Sequence, residues 1–536
     1  MRDRVPPLQT LSLREQIAQM VVVRASGCLF DSQIRYPAWE PPLETLQQWI
    51  SQLKVGGVIV LGGSAAEVSL RSRQLQDWAE IPLFIAADIE EGTGQRFAGA
   101  TTFPPPMALS GIGDRAIAIS HAEQMGATTA REAQSIGINW VLAPVVDVNN
   151  NPHNPVINIR AFGETPEIVS DLATAFLRGA QSYPVLTTAK HFPGHGDTAV
   201  DSHLHLPVVS HPIERLDAVE LPPFNRAIAA GVDSVMTAHL LVPAWDTKYP
   251  ATLSQKILTG QLRDKLGFNG LIVTDALVMG GVANFTDYQE VCVLAVEAGA
   301  DILLMPQDPV AAIDAVEEAV QTGRISPQRI QASIERIWRA KQKILAGTTL
   351  DLSADSLLRE LAQPEAKKTT REINQESLQL GGELPLSLPM EGENAENWVV
   401  VDDLLNCNFL AAHTPAIAVP KQLGYKLQLI EQHQLNLDRI PETALVQIFS
   451  RGNPFRGKAG LVPQAQEWFK LLLRQRKIVG LAIYGSPYIL EELRSEFAPS
   501  LPWVFSYGQT ALAQEGVTQV LWQKETRERS FSEAFI

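Results

Sequence analysis

Residues 185–207 read VLTTAKHFPGHGDTAVDSHLHLP. A short β-rich run, VLTTAK (185–190), passes directly into a polar loop. The loop carries four of the chain's ten histidines, His191, His195, His203 and His205, together with Asp197 and Asp201. A buried strand that releases ionisable groups at its carboxyl end belongs to a parallel sheet, whose strands are apolar throughout because both faces are covered. The same pattern recurs on both sides. AQMVVV (18–23), GGVIVL (56–61), LFIAAD (83–88), INWVLAP (138–144), VDSVMTA (232–238), LIVTDA (271–276) and ADILLMP (300–306) bring the number of such runs to eight. Segments with helical periodicity lie between them, among them 114–137, 213–231 and 289–299. Eight βα units in this length fit a (β/α)8 TIM barrel better than an open doubly wound sheet.

The barrel is expected to occupy residues 1–347, closing with the helix SPQRIQASIERIWRAKQKILAG (326–347), whose basic residues and Gly347 mark a C-terminal end. A polar, partly helical linker follows at 348–369. From 370 to 536 a smaller α/β sandwich is expected, with strands at 396–404, 444–450, 478–485 and 502–508 and helices at 465–477 and 486–497. A chain of 536 residues is in any case too long for one ordinary domain.

The net charge of −15 argues against nucleic acid or an anionic membrane as partner. No window of ~18 apolar residues and no signal-peptide pattern is evident. Cys28, Cys292 and Cys407 lie too far apart for a zinc motif or a disulfide framework, so the cytoplasm is the expected compartment. No cofactor is implied, and the oligomeric state is left open.

In a barrel the chemistry sits where the strands end. The runs deliver Asp88, Asp147 (followed by Asn154 and Arg160), Lys190 with His191, His239 and Asp275 to one rim. Acceptors and donors are mixed, which suits a sugar, whose hydroxyls do both. No GxxxxGK[ST] loop is present for a phosphate.

Three readings of the histidine-rich loop stand side by side. A metal site would use His203-Leu-His205 and the His191/His195 pair, but no HExxH is present. A polar loop closed by Gly194 and Gly196 would use its histidines structurally. An acid/base device would pair Asp201 with His203, the aspartate fixing the imidazole tautomer, on a loop that the two glycines allow to swing. Asp275, at the end of LIVT, would then be a nucleophile in a retaining glycosidase scheme. A histidine in place of the usual second carboxylic acid departs from the common form of that scheme.

The segment KHFPGHGDTAVDSHLHLP (190–207) resembles the signature of glycoside hydrolase family 3, in particular its bacterial β-N-acetylhexosaminidases. DIEEGTGQRF (88–97), FPPPMAL, GINWVLAPVVDVNNNP, NPVINIRAFGE, MTAHLLVPAWD, PATLS and LRDKLGFNGLIVTDALVMGG follow in the family's order. The resemblance covers about residues 10–345. YGSPYIL (484–490) is the best match in the second unit. Departures stand at Glu91, Thr93, Ala161 and Ala276. The resemblance implies Asp275 as nucleophile and His203 as acid/base oriented by Asp201. It implies Asp88, Arg160, Lys190 and His191 as sugar ligands, Arg96 as a support for Asp88, and His239 in the pocket lining. Asp147, His195, His205 and Asp197 read as structural. The implied activity is metal-independent, retaining removal of terminal β-linked N-acetylglucosamine from small carbohydrates, plausibly peptidoglycan fragments in cell-wall recycling. The alternatives are a β-glucosidase or β-xylosidase, a β-glycoside phosphorylase, and an inactive sugar-binding barrel.

Overall fold

The computed structural model describes residues 5–346, 354–390, 393–436, 438–452 and 459–522. All eight expected runs form strands: β1 (Val21–Ser26), β2 (Gly57–Leu61), β3 (Phe84–Ala87), β4 (Trp140–Val141), β5 (Leu186–Phe192), β6 (Ser234–Thr237), β7 (Leu271–Val273) and β8 (Leu303–Leu304). Neighbours pair in parallel in the order β7-β6-β5-β4-β3-β2-β1-β8, and a parallel bridge between Val273 and Ile302 closes the ring. The architecture is thus a (β/α)8 barrel. Residues of these strands are buried almost without exception, which explains runs that are apolar throughout rather than alternating. The ladders are shorter than the runs where proline follows, as at Pro144 and Pro306, because proline brings no N–H to the sheet.

The helices outside the barrel begin where their sequences provide caps. Ser12 with Glu15 and Ser64 with Glu67 form capping boxes, and Thr165, Asp308 and Ser326 accept from backbone N–H groups in the next turn. The expected helix at 213–231 is interrupted. A π segment, Leu216–Glu220, separates Ile213–Arg215 from Leu221–Ala229. Pro222 and Pro223 lack N–H groups and crowd the preceding turn, which accounts for the wider winding. The last barrel helix is Pro327–Leu345, and Gly347 lies outside the described residues.

The floor of the barrel is filled by large side chains. Trp140 is fully buried, donates from Nε1 to Thr188 Oγ1 at 2.8 Å and Ser234 Oγ at 3.1 Å, and meets Phe84 edge to face at 5.2 Å. Lys341, from the last barrel helix, is also buried. Its Nζ donates to Gln19 Oε1 (2.6 Å), Gly56 O (3.1 Å) and Pro82 O (2.6 Å) and lies 5.0 Å from the Phe84 ring centroid.

The chain folds as two compact units, one of Met1–Phe103, Ile119–Asn151 and Arg160–Lys367, the other of Pro104–Ala118, Pro152–Ile159 and Lys368–Ile536. Of the stretch 348–369, residues 348–353 lie outside the described residues, and helices Ala354–Glu360 and Pro364–Glu376 take up most of the rest. The second unit holds β9 (Gln379–Gly381), β10 (Ala395–Val401), β11 (Lys426–Glu431), β12 (Thr443–Ser450), β13 (Ile478–Gly485) and β14 (Trp503–Ser506), in the order β11-β10-β12-β13-β14-β9. Among the described residues only β9 runs antiparallel. Its helices include Pro463–Arg474 and Pro487–Arg494, close to the expected positions. The edge strands β9 and β11 were not expected from sequence. They are short or half-exposed, so neither carries a continuous apolar run. Among the described residues, no helix is long and apolar enough to cross a membrane.

If Trp140 organises the barrel floor, Trp140→Ala should lower unfolding free energy by about 3–5 kcal/mol. Replacing the exposed Phe30 with Ala should change it by less than about 0.5 kcal/mol. Urea denaturation followed by circular dichroism separates the two. Equal effects would refute the assignment.

Candidate active site

The carboxyl ends of β3 and β5 meet around one carboxylate. Glu90, two residues beyond Asp88, is buried and accepts from Arg160 Nε (2.8 Å) and Nη2 (2.7 Å) and from Lys190 Nζ (2.5 Å). Lys190 Nζ also donates to Asp88 Oδ1 at 2.8 Å. Burial pushes Glu90 towards the neutral acid, but Arg160 and Lys190 outweigh it and hold its pKa well below the ordinary carboxylate value. Burial pulls Lys190 down, and Asp88 and Glu90 reverse this and raise it. Arg160 is raised in the same way. Glu90, Arg160 and Lys190 are therefore charged, and Asp88 completes a quartet of two acidic and two basic side chains. Asp88 is the most exposed of the four, at 31% of its side chain.

Arg96 reaches Asp88 by another route than its carboxylate. It lies at the surface and its Nε donates to the Asp88 backbone carbonyl at 3.1 Å.

A second carboxylate organises the next strand end. Asp147 Oδ2 accepts from His191 Nδ1 at 2.8 Å, and Asp147 Oδ1 accepts from the backbone N–H of His195 at 2.7 Å. The His191 backbone N–H donates to both oxygens at 3.2 Å. Asp147 thus holds the start of the loop after β5, as a structural reading expects. His195, one turn on, is buried and bridges Thr198 Oγ1 through Nδ1 (2.9 Å) and Ser202 Oγ through Nε2 (2.8 Å). Burial pulls its pKa down to about 4, so the ring is neutral at neutral pH. His205 lies exposed on the same loop, and Asp197 pairs with His211 Nε2 at 2.7 Å.

The dyad forms as its spacing permits. Asp201 Oδ1 accepts from both the backbone N–H and the ring Nδ1 of His203, each at 2.9 Å. The aspartate is buried and the imidazole is 17% exposed. The two glycines act differently from a swinging hinge. A Cβ on Gly196 would stand 1.8 Å from Val148 O, and one on Gly194 would meet the Glu220 side chain at 2.7 Å. They allow close packing of the loop base.

Asp275 follows β7, and its Oδ1 accepts from the Ala276 N–H at 2.7 Å. Burial raises its pKa, while His191, His239, His203 and the Ala276 N–H lower it, with a net shift below the ordinary value. The carboxylate is thus ionised and lies within the field of three of the predicted histidines. His239 uses both ring nitrogens within the protein: Nε2 donates to Ala276 O at 3.0 Å and Nδ1 meets Thr252 Oγ1 at 2.8 Å. Burial lowers its pKa. Its geometry is that of a brace behind Asp275. Asn154 directs its Oδ1 to the N–H groups of Val156 and Ile157 at 2.9 Å. Among the described residues no group of three or more His, Cys, Asp or Glu side chains is arranged to hold a metal.

Sequence reasoning did not select Glu90, Ser202 or Thr252. Glu90 had a signal, since it stands at i+2 from Asp88 and so shares its side of an extended segment. Ser202 and Thr252 had none.

An ionised carboxylate within electrostatic reach of an aspartate-held imidazole, at the mouth of a parallel barrel, is an arrangement for glycosidic-bond chemistry. Comparison with known proteins agrees. Residues 12–340 match the glycosyl hydrolase family 3 N-terminal domain, and 389–523 match the bacterial glycosyl hydrolase family 3 C-terminal domain. The chain belongs to glycosyl hydrolase family 3. It is 32% identical over 364 residues to a β-N-acetylglucosaminidase/β-glucosidase of Cellulomonas fimi, covering 66% of this chain and 64% of that one. It is 34% identical over 330 residues to β-hexosaminidase A of Pseudoalteromonas piscicida, covering 56% and 55%. The chain thus spans less than two thirds of the length of either relative. A solved family 3 β-N-acetylglucosaminidase from Paenibacillus sp. str. FPU-7 superimposes with a TM-score of 0.79 at 32% identity, over 96% of this chain and 97% of that one.

Two measurements check the geometry. Glu90→Gln leaves Arg160 and Lys190 buried without their shared anion and should cost about 3–5 kcal/mol, read as a fall in melting temperature well beyond that of Asp88→Asn. For His195, the unfolded imidazole titrates near 6.5 and the folded one near 4. In that window the unfolded chain binds the extra proton. This residue's contribution to stability is therefore complete above pH 6.5 and is lost as pH falls towards 4. The melting temperature of the parent should fall more steeply over that interval than that of His195→Gln. Parallel slopes would contradict a neutral, buried His195.

Proposed function

We propose that the chain is a retaining exo-β-N-acetylglucosaminidase that needs no metal and acts by double displacement on small glycosides with a terminal β-linked N-acetylglucosamine. Peptidoglycan fragments in the cytoplasm are the substrates that fit this reading. The observation that carries it is the Asp201–His203 pair, whose imidazole lies within electrostatic reach of the ionised Asp275. Asp201 holds the proton on Nδ1, so the proton that His203 gives to the leaving oxygen, and later regains from water, is a second one carried on Nε2. An Asp275 oxygen attacks the anomeric carbon as the bond from that carbon to the leaving oxygen breaks, and His203 protonates the leaving oxygen. His203 then takes a proton from water, whose oxygen displaces Asp275 and restores both groups. The names borne by the Cellulomonas, Pseudoalteromonas and Paenibacillus proteins support the N-acetyl sugar.

In the same reading Asp88, Lys190, Arg160 and His191 hold the non-reducing sugar, with Asp88 as the exposed acceptor for its hydroxyls. Arg96 supports the Asp88 backbone, and His239 positions Asp275 rather than touching the sugar. The domain limits 1–347, 348–369 and 370–536 are kept as the working division of the chain.

Initial rates on p-nitrophenyl β-glycosides of N-acetylglucosamine and glucose, with chelator present, test the proposal. The N-acetyl substrate should be preferred and the chelator without effect, and Asp275→Ala should abolish turnover. His203→Ala should lose roughly 10²–10⁴-fold on substrates with poor leaving groups and far less on activated ones. Glucose preference, phosphate-dependent release of sugar 1-phosphate, or chelator sensitivity would each overturn it.

A further inference from the structure

The loop that carries Asp201 and His203 is docked at its tip as well as at its base. The N–H of Gly280 donates to the carbonyl of His203 at 3.0 Å, and the N–H of Gly281 donates to the carbonyl of Ser202 at 3.1 Å. Both glycines lie on the segment that leaves β7 immediately after Asp275. A Cβ on Gly280 would stand 2.8 Å from Leu204 O and 2.9 Å from His203 O. One on Gly281 would stand 2.8 Å from Ser202 O and 3.0 Å from His205 O. Neither glycine has a positive φ, so neither is needed for its own backbone conformation. What both positions require is the absence of a side chain under the loop.

The remaining attachments are of a different kind. The base is held through Asp147 and the close packing of Gly196 on Val148, and the return is held by Val209 N–H on Leu241 O at 2.9 Å. Between them Ala199 and Val200 are exposed. Inside the loop the His195–Ser202 hydrogen bond stiffens the tip.

From this geometry we infer that Gly280 and Gly281 are positioning residues for the acid/base: a side-chain-free platform on the nucleophile's own loop that holds His203 at a set place relative to Asp275. The inference rests on the roles proposed above for His203 and Asp275. It makes a distinction that a purely structural role does not. Lifting the loop tip should impair proton transfer while leaving the carboxylate's attack intact. Cleavage of an activated aryl glycoside, whose leaving group departs unprotonated, should therefore survive.

The test compares parent, Gly280→Ala, Gly281→Ala and His203→Ala after melting curves have shown which of them are folded. kcat/KM is measured on 2,4-dinitrophenyl β-N-acetylglucosaminide and on N,N′-diacetylchitobiose. For the folded glycine variants, kcat/KM on the disaccharide should fall by roughly 30-fold or more while the activated substrate changes by less than about 3-fold. Their kcat on the activated substrate should drop and be restored by azide. Azide attacks the anomeric carbon of the Asp275 ester, breaks the bond to Asp275 and has no proton to lose, so it bypasses the base. Should Gly280→Ala not fold, Gly281→Ala carries the same comparison. Equal losses on both substrates, or kinetics like the parent, in a folded glycine variant would overturn the inference. If His203→Ala itself fails to discriminate between leaving groups, the acid/base reading falls first. If His203→Ala discriminates and the glycine variants do not, only the docking platform is wrong.

Discussion

The geometry of this site depends on one buried carboxylate. Glu90 lies between Arg160 and Lys190 with no solvent to screen it, and a charge so placed is tolerable only when its partners are fixed. Three segments distant in sequence are locked together as a result: the turn after β3, the end of β5 and the stretch that begins at Arg160. Asp88 joins the cluster through Lys190. Strand ends that would otherwise finish in independent loops become a rigid wall on which a polar ligand can be oriented.

Asp147 extends that rigidity to the next layer. It fixes His191 and the first turn of the loop after β5, and His195 carries the constraint through Thr198 and Ser202 towards Asp201 and His203. Each residue in this series is held by a neighbour that is itself held. A neutral His195 suits its place, since Thr198 and Ser202 meet its ring nitrogens with hydroxyls that donate or accept without a charge of their own. The placement of His203 thus rests on packing that begins at the end of β4.

Much of this was legible in the sequence, and the reasons differ from element to element. The eight barrel strands were readable because strands covered on both faces are apolar from end to end. The dyad was readable because Asp201 and His203 are local. The edge strand β11 was missed because half of its residues face solvent and the apolar run that marks a buried strand is absent. Gly194 and Gly196 suggested freedom of movement, whereas the backbone of Val148 and the side chain of Glu220 approach so closely that the glycines restrict the loop. Glu90 was passed over in the DIEEG block because its partners, 70 and 100 residues away, are brought to it only by the closed sheet. His239 was expected to line the pocket. Its two ring nitrogens are engaged by Ala276 and Thr252, and the latter has no motif to announce it.

The lysine at the barrel floor has a consequence for how the chain is made. Lys341 joins Gln19, Gly56 and Pro82, the first of them 322 residues earlier. On the ribosome, the opening strands emerge long before the lysine that serves their floor exists. Until residue 341 has left the exit tunnel, the Pro82 carbonyl and the Gln19 amide oxygen are without the lysine's donation, whereas the Gly56 carbonyl also has the Phe84 N–H. Sealing of the barrel base is thereby tied to a late moment in translation, and a nascent chain arrested before that point keeps its floor wet.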